Sequence, residues 1–240
     1  MPDLASRAVD ARELMDDPQA DDRMLERTYA RFAPVNAVVS GWRGVYRRDI
    51  RPLARRKGVL RVLDVGAGGG DLARALQRRL RADGCVARVT ALDLDERAIR
   101  WAATRSGSHG VRWLCASTAD LVRDGEEFDV VLSNHLLHHL TGQELSSLLD
   151  DSRLLTAPGG LVIHSDIARG RTAYALFAAA TLPLAGTLLA DSFIRADGLT
   201  SIRRSYTAGE LAAAAGDGWR VEQRMPARLL LRTEQDDARP

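Results

Sequence analysis

From residue 59 onward, short apolar segments alternate with amphipathic ones, and this alternation constrains the fold more than any other feature. The segments "VLRVLDVG", "ARVTALDL", "VRWLCAS", "FDVVLSN" and "LVIHSD" have the composition of buried strands. Helical segments separate them, and "TGQELSSLLDDSRLLT" opens with a capping box formed by Thr141 and Glu144. The final segment, "WRVEQRMPARLLLRTE", predicts a hairpin around Met225-Pro226. We therefore predict an α/β fold with a doubly wound, seven-stranded sheet that ends in an antiparallel hairpin.

Length and charge limit the classes of function. The chain has 240 residues, which suits one α/β domain with additions, and its net charge is only +2. The arginines are spread along the chain, so we expect no nucleic-acid partner. Cys85 and Cys115 lack a metal-ligand spacing and are expected to be reduced thiols of a cytoplasmic protein. The N-terminus lacks the basic and apolar regions of a signal peptide.

The strand and helix pattern divides the chain into two parts. Residues 1–54 are predicted to form an N-terminal tail, frayed up to residue 22, and a helical lid. Residues 55–240 are predicted to form the main domain, with an inserted helical cap at about 167–206. Within this cap, residues 172–190 carry no charge. They are rich in Ala and Thr and include Pro183, so we expect a helical pair that covers a pocket. A membrane-surface contact stays open, but no transmembrane helix is expected.

The loop after the first strand, "VGAGGGDL", contains four glycines, which lack side chains. It lies where a doubly wound sheet binds its ligand. Dinucleotide-binding loops carry a glycine at the sixth position of the motif, where this chain has Asp71. A nucleotide-triphosphate loop would end in Gly-Lys-Ser/Thr, which is absent. The loop therefore predicts close approach of the backbone to a different ligand.

The spacing Asp64-x-Gly66-x-Gly68-x-Gly70 resembles motif I of the class I S-adenosylmethionine-dependent methyltransferases. Two further segments, "FDVVLSNHLLHHL" and "LLTAPGGLVIH", are similar to later segments of that family. Asp93 ends the second strand, where the family has an acid that binds both ribose hydroxyls. The resemblance covers about 59–162 and implies a Rossmann-like fold, S-adenosylmethionine as cofactor and S-adenosylhomocysteine as product.

The resemblance also implies a set of cofactor contacts. The methionine end of the cofactor is assigned to Asp64, Gly66, Ala67, Gly68 and Gly70. The ribose is assigned to Asp93 and the adenine face to Leu94. Many members have an Asp for the adenine edge; here Ser117 stands in its place, so Ser117 or Thr118 is assigned to that contact. Asn134, at the tip of the fourth strand, completes the set.

Histidines cluster after the fourth strand and suggest a general base. Methyl transfer to a phenol, enol or amine benefits from a base, and an imidazole titrates near neutral pH. The candidates are His135, His138, His139 and Asp166, with His164 expected to be structural. We expect no metal, because no acidic third ligand stands at a fixed spacing from "HLLHH".

The segment "TYARFAPVNAVVSGWRGVYRR" resembles the lid of the quinone-biosynthesis methyltransferases. This resemblance suggests that Tyr29, Phe32, Trp42 and Tyr46 contact the substrate. The alternative is that these residues pack between helices. We predict O- or C-methylation of a small phenol, quinol or polyketide-like acceptor, as in secondary metabolism. An RNA or protein methyltransferase and a non-catalytic cofactor-binding subunit are the alternative hypotheses.

Overall fold

A computed structural model describes residues 2–233, with only the backbone of 37–39. The outer ends of the two predicted domains, Met1 and residues 234–240, lie outside the described residues. Seven strands form one sheet in the order β3-β2-β1-β4-β5-β7-β6. The strands are β1 Leu60–Val65, β2 Ala87–Asp93, β3 Val111–Cys115, β4 Phe128–Asn134, β5 Thr156–Ile167, β6 Trp219–Arg224 and β7 Arg228–Thr233. The predicted fold class is confirmed.

Strand direction fixes where a ligand can bind. Strands β1 to β5 pair in parallel, whereas β7 runs antiparallel to both β5 and β6. The sequence order reverses between β1 and β4, so a crevice opens beyond their carboxyl ends. The glycine loop follows β1 and the histidines follow β4, which brings both to this crevice.

Helices cover both faces of the sheet. They are α1 Asp22–Val39, α2 Trp42–Val45, α3 Arg51–Arg56, α4 Asp71–Ala82, α5 Glu96–Ala103, α6 Thr118–Arg123, α7 Gly142–Leu154, α8 Arg171–Thr181, α9 Ile194–Arg204 and α10 Ala208–Ala215. A π-helical turn, Tyr46–Ile50, joins α2 to α3. Two separate apolar clusters pack on the faces, one around Leu76 and Val130, the other around Leu145 and Val131. This alternation along β4 explains its continuous apolar sequence.

Residues 2–22 of the N-terminal tail are not frayed, which corrects the prediction that the tail is frayed up to residue 22. A short 3-10 turn, Leu14–Asp16, packs beside α9. The carboxylate of Asp197 accepts hydrogen bonds from the backbone nitrogens of Leu14 (2.7 Å) and Met15 (3.0 Å). Arg97 donates to the carbonyl of Asp17 at 3.0 Å. These contacts hold the tail across the crevice.

The uncharged segment is one helix rather than a pair. Helix α8 ends at Thr181, and turns and bends follow as far as residue 193 before α9 begins. Among the described residues, the helices fall short of the length and apolar character that crossing a membrane requires. Leu176, Leu182 and Leu188 of this segment are exposed.

Two boundaries differ from the sequence prediction. Helix α6 was missed, although Ser117 and Asp120 form a reciprocal capping box at its start. Strand β5 begins at Thr156, so "APGG" is part of an extended segment rather than a turn. Its pairing with β4 is irregular near Phe128. Gly159 there has φ +70°.

Gly70 is expected to be sensitive to the addition of one methyl group. Its φ is +70°, and a Cβ would lie 2.3 Å from the indole of Trp113. Gly70→Ala should therefore destabilise the fold by about 2–4 kcal/mol, through strain and overpacking together. Thermal and denaturant unfolding measure this. Gly84→Ala is the matched control, because Gly84 has φ +73° but no atom within 4 Å of the added methyl. Equal losses in both variants would contradict the packing role.

Candidate functional site

One cavity of about 1260 Å³ occupies the crevice at the carboxyl ends of β1, β2 and β4. Pockets for one small ligand usually enclose about 300–1,000 Å³, so this cavity has room for two molecules side by side. Its walls come from the glycine loop, the histidine segment, the N-terminal tail, α1 and the cap helices α8 and α9. The N-terminal part and the cap thus cover a site on the sheet.

The glycine loop lines one side of the cavity. Gly66, Ala67, Gly68 and Gly69 contact it, whereas Gly70 does not. The backbone nitrogen of Gly68 donates to Oδ2 of Asp93 at 2.7 Å. A Cβ on Gly68 would meet no protein atom within 4 Å, so this backbone is open to a ligand. Gly70 packs against Trp113 instead, which corrects its assignment to ligand contact.

Three carboxylates converge on this side: Asp64, Asp71 and Asp93 all line the cavity. Asp64 is buried, and its Oδ2 atom has no hydrogen-bond partner within the described part of the chain. Burial, together with the charges of Asp71 and Asp93, raises the pKa of the Asp64 carboxyl well above its usual value. Burial also raises the pKa of Asp93. Such a wall favours a ligand that carries positive charge.

Leu94, Ser117 and Thr118 line the cavity further along. Leu94 is 76% exposed and offers an apolar surface to the cavity. The Ser117 hydroxyl donates to Asp120 at 2.7 Å, and the Thr118 hydroxyl donates to Asp151 at 2.5 Å. Both hydroxyl protons are therefore engaged within the protein, so these hydroxyls offer a ligand only acceptor capacity.

Arg228 of β7 organises the tip of β4. This buried guanidinium donates to Oδ1 of Asn134 (2.6 Å) and to Nε2 of His135 (2.9 Å). Burial lowers the pKa of Arg228 to about 10, which still leaves it charged at neutral pH. Burial and the charge of Arg228 keep the pKa of His135 well below its usual value. Asn134 and His135 line the cavity, but a neutral His135 accepts from Arg228 through one nitrogen.

His138 lies between two carboxylates. Its Nδ1 is 2.8 Å from Oδ1 of Asp166, whose Oδ2 accepts the backbone N–H of His138 at 2.8 Å. Its Nε2 faces Oε1 of Glu13 at 3.3 Å. Burial alone lowers the pKa of an imidazole, but here Asp166 and Glu13 outweigh burial and raise the pKa of His138 to about 9. His138 lines the cavity and Asp166 lies behind it.

His139 repeats this arrangement one residue later. Its Nδ1 lies 3.2 Å from Oδ2 of Asp16, and its Nε2 lies 3.7 Å from Oε2 of Glu13. Ligand atoms of Glu13, His138 and His139 all lie within 4.8 Å of one another, a group able to hold a metal ion. The sequence predicted no metal because no acidic third ligand stood at a fixed spacing from the histidines. In the fold, Glu13 of the N-terminal tail supplies that ligand. We name these three residues the histidine corner.

Of the four aromatic side chains assigned to substrate, two reach the cavity. Tyr29 and Phe32 line it from α1. Trp42 and Tyr46 do not, which corrects their assignment. They are buried in the apolar cluster under the sheet, and the Tyr46 hydroxyl donates to Asp83 at 2.7 Å. His164 is buried in β5 beside Ser133, as expected for a structural histidine.

Several cavity residues were not found from the sequence. Apolar walls come from the tail and the cap through Met15, Leu176, Phe177 and Ile194. Glu13 and Asp16 precede the histidines by more than a hundred residues, and no local pattern connects them. Arg228 begins a strand whose three consecutive leucines gave no sign of a site. Only Asp71 carried a usable signal, as an acid inside a glycine-rich loop.

Part of the chain that includes the glycine loop and the histidines is similar to known methyltransferases. The family model described as "Methyltransferase domain" matches residues 62–160. An uncharacterized methyltransferase of Mycobacterium tuberculosis (strain ATCC 25618 / H37Rv) is 42% identical over 101 residues, covering 41% of this chain and 46% of the relative. The ubiquinone biosynthesis O-methyltransferase of Roseobacter denitrificans is 33% identical over 135 residues, covering 55% of this chain and 51% of the relative.

A solved structure resembles nearly the whole chain. The plantazolicin methyltransferase, crystallised with S-adenosylhomocysteine, has a TM-score of 0.56 and 13% sequence identity. The match covers 89% of this chain and 95% of that one, and at this identity it establishes the fold alone. Among the curated relatives, the chain spans about half the length of the proteins it matches.

Proposed function

We propose that this chain, whose residues 62–160 match the family model of a methyltransferase domain, transfers a methyl group from S-adenosylmethionine to a small, largely apolar acceptor. The resemblance to class I methyltransferases predicted from the sequence is confirmed over this region. The observation that carries the proposal is the division of one cavity into an acidic, glycine-lined part and an apolar part that contains the histidines. The methyl donor fits the acidic part, and the methyl acceptor fits the apolar part.

The acidic part fits the cofactor. S-adenosylmethionine carries a sulfonium and an ammonium group, and the unpartnered oxygen of Asp64 lies on a wall with two further carboxylates. We assign the methionine end to Asp64, Gly66, Ala67 and Gly68. Asp93 is assigned to the ribose hydroxyls, since one carboxylate can accept from two neighbouring hydroxyls. The exposed Leu94 is assigned to the adenine face, and Ser117 or Thr118 to its edge.

The chemistry of transfer leaves little for the protein to do beyond alignment. The cofactor supplies a methyl group on a positively charged sulfur, which a nucleophile displaces in line. The chain's own residues hold the two partners close, and this positioning is the larger part of the catalysis. The tail, α1 and the cap helices close the cavity from outside. We propose residues 2–54 as this lid and 167–206 as the cap of a domain that spans residues 55–233.

The acceptor side combines apolar walls with one polar corner. Phe32, Leu176, Phe177 and Ile194 favour an aromatic ring or an alkyl chain. The histidine corner supplies the polar groups beside these walls. We propose that an acceptor hydroxyl turns toward this corner and loses its proton there. The His138–Asp166 pair is the centre of this step. Asp166 fixes the ring, and Nε2 accepts a proton in the deprotonated fraction of His138, which grows as the pH rises toward its pKa of about 9.

The other candidates take supporting roles. His135 already accepts from Arg228, so we assign it and Asn134 to positioning rather than to proton transfer. His139 faces the same carboxylate as His138 and belongs to the corner. The name of the ubiquinone-biosynthesis relative supports an oxygen acceptor, and the apolar walls support a phenol or quinol. A macromolecular acceptor suits a cavity closed by tail and cap less well.

A panel of acceptors tests this proposal. Phenols, catechols and quinols with alkyl chains of increasing length are incubated with the protein and methyl-labelled S-adenosylmethionine. We expect label in one or more of them, with kcat/KM rising with chain length until the apolar part is filled. Each buried methylene contributes about 0.8 kcal/mol, or roughly fourfold. Uniformly absent transfer, with cofactor binding intact, would contradict the acceptor class.

A further inference from the structure

The two histidines of the corner are each held by a carboxylate on one nitrogen. Nδ1 of His138 lies 2.8 Å from Asp166, and Nδ1 of His139 lies 3.2 Å from Asp16. A carboxylate accepts a proton from Nδ1 and so leaves the lone pair of a neutral ring on Nε2. Protein metal ligands show this arrangement, in which an outer carboxylate orients the imidazole and raises its basicity.

Both Nε2 atoms face the same third side chain. Nε2 of His138 lies 3.3 Å from one oxygen of Glu13, and Nε2 of His139 lies 3.7 Å from the other. Atoms bound to one ion at about 2.0–2.2 Å, at ordinary bond angles, lie about 3.0–3.5 Å apart. The corner therefore has donor atoms close to the separations that an ion requires, before any rearrangement.

The burial of His138 points to an additional ligand. Its side chain is 1% exposed and that of Glu13 is 3% exposed. Within the described residues, Nε2 of His138 has no better partner than Oε1 of Glu13 at 3.3 Å. A buried lone pair that faces a carboxylate oxygen is unfavourable unless a cation lies between them. That cation is either a proton or a metal ion, and the two cases can be separated by experiment.

The position of Glu13 is fixed by the backbone on its C-terminal side and by its own side chain. Asp197 holds the backbone nitrogens of Leu14 and Met15. Ser201 donates to Oε1 of Glu13 at 2.8 Å. The carboxylate is thus presented to the histidines by a held tail. All three corner residues also line the cavity, so an ion bound there would border the space proposed for the acceptor.

We propose that Glu13, His138 and His139 bind a divalent transition-metal ion, and that this ion coordinates the oxygen nucleophile of the acceptor. Two imidazoles and one carboxylate suit ions such as Zn²⁺, Co²⁺ or Fe²⁺. The inference rests on the proposed function and specifies how the corner removes the proton. A hydroxyl bound to the ion becomes more acidic and releases its proton to solvent. The resulting oxyanion bonds to the methyl carbon, and the sulfur keeps the electron pair of the broken bond.

Metal binding is tested without reference to activity. The full chain is stripped with a chelator and titrated with Co²⁺, followed by its visible absorption and by calorimetry, and Zn²⁺ is then used in competition. We expect one equivalent to bind and Zn²⁺ to displace it. Glu13→Gln and His139→Gln should each weaken binding at least about 10-fold while leaving the thermal unfolding profile folded and cooperative.

Matched controls lie outside the cavity. Glu96→Gln removes an exposed carboxylate that pairs with Arg100, and His109→Gln removes an exposed imidazole. Both should bind Co²⁺ like the wild type. The absence of stoichiometric binding would overturn the inference, as would equal binding by the corner variants and the controls.

The activity readout separates this inference from the proposed function. We expect the stripped protein to transfer label slowly and added Zn²⁺ or Co²⁺ to restore transfer. Full transfer by the stripped protein would refute the metal and leave the proposed function standing, with His138 as a bare base. Stoichiometric metal binding without transfer to any small acceptor would refute the proposed function instead.

Discussion

Asp93→Ala is expected to weaken binding of S-adenosylmethionine at least about 100-fold. The carboxylate is assigned to two ribose hydroxyls, and hydrogen bonds to a charged acceptor contribute about 1.5–3 kcal/mol each. Losing about 3 kcal/mol corresponds to a factor of about 100 in the dissociation constant. The variant also removes the acceptor for Gly68 N–H, so the glycine loop loses part of its support. Calorimetric titration of the cofactor and of S-adenosylhomocysteine measures the effect.

The control for Asp93 lies three residues further along. Glu96→Gln removes one negative charge near the site without touching the cavity. It should change the dissociation constant less than about twofold, because exposed charges interact weakly. Wild-type affinity in Asp93→Ala would refute the ribose assignment. An equal loss in both variants would show that charge alone, rather than contact, holds the cofactor.

Asp166→Asn is expected to lower turnover roughly 10²- to 10⁴-fold with cofactor affinity nearly unchanged. The asparagine oxygen can still accept the backbone N–H of His138, so the fold should survive. Its NH₂ group cannot accept from Nδ1, so the proton of the imidazole moves to Nε2. A protonated Nε2 can neither take a proton nor bind a metal. In enzymes with a Ser-His-Asp triad, a wrong tautomer of this kind lowers kcat about 10⁴-fold.

Asp166→Ala should also destabilise the folded protein. It leaves the backbone nitrogens of His138 and Ile167 without their carboxylate acceptor and leaves buried positive charge unpaired. We expect a loss of about 3–5 kcal/mol in the free energy of unfolding. Asp129→Asn is the matched control, because Asp129 is a buried carboxylate on β4 that binds Lys57 and the backbone of Arg61. It should lower stability and leave turnover unchanged. Normal turnover in Asp166→Asn would contradict the role of the pair.

The sheet was predictable because each strand carries its own local signal. Continuous apolar segments with helices between them allow few arrangements. Strands β1 to β4 lie where the sequence placed them, whereas β5 begins earlier than predicted, at Thr156. The positions of the glycine loop and Asp93 at the carboxyl edge of the sheet were predictable for the same reason, since each follows or ends a strand. Helix α6 was missed, although its capping box at Ser117 could have been read from the sequence.

The proposed acceptor side could not be predicted because it is built from distant segments. Helical periodicity placed Trp42 and Tyr46 on an apolar face, but the same pattern serves a core as well as a pocket, and these two belong to the core. The tail looked unstructured because it is polar and rich in Asp. Its structure depends on partners far along the chain, such as Asp197, and so does the carboxylate that completes the histidine corner.

The central claim is that this chain methylates a small apolar molecule. Its most direct test uses the purified protein, methyl-labelled S-adenosylmethionine and an extract of the cells that naturally make the protein. The products are separated into organic-soluble, nucleic-acid and protein fractions. We predict label in the organic fraction, and mass spectrometry then identifies the acceptor. Label confined to the RNA or protein fraction would contradict the account.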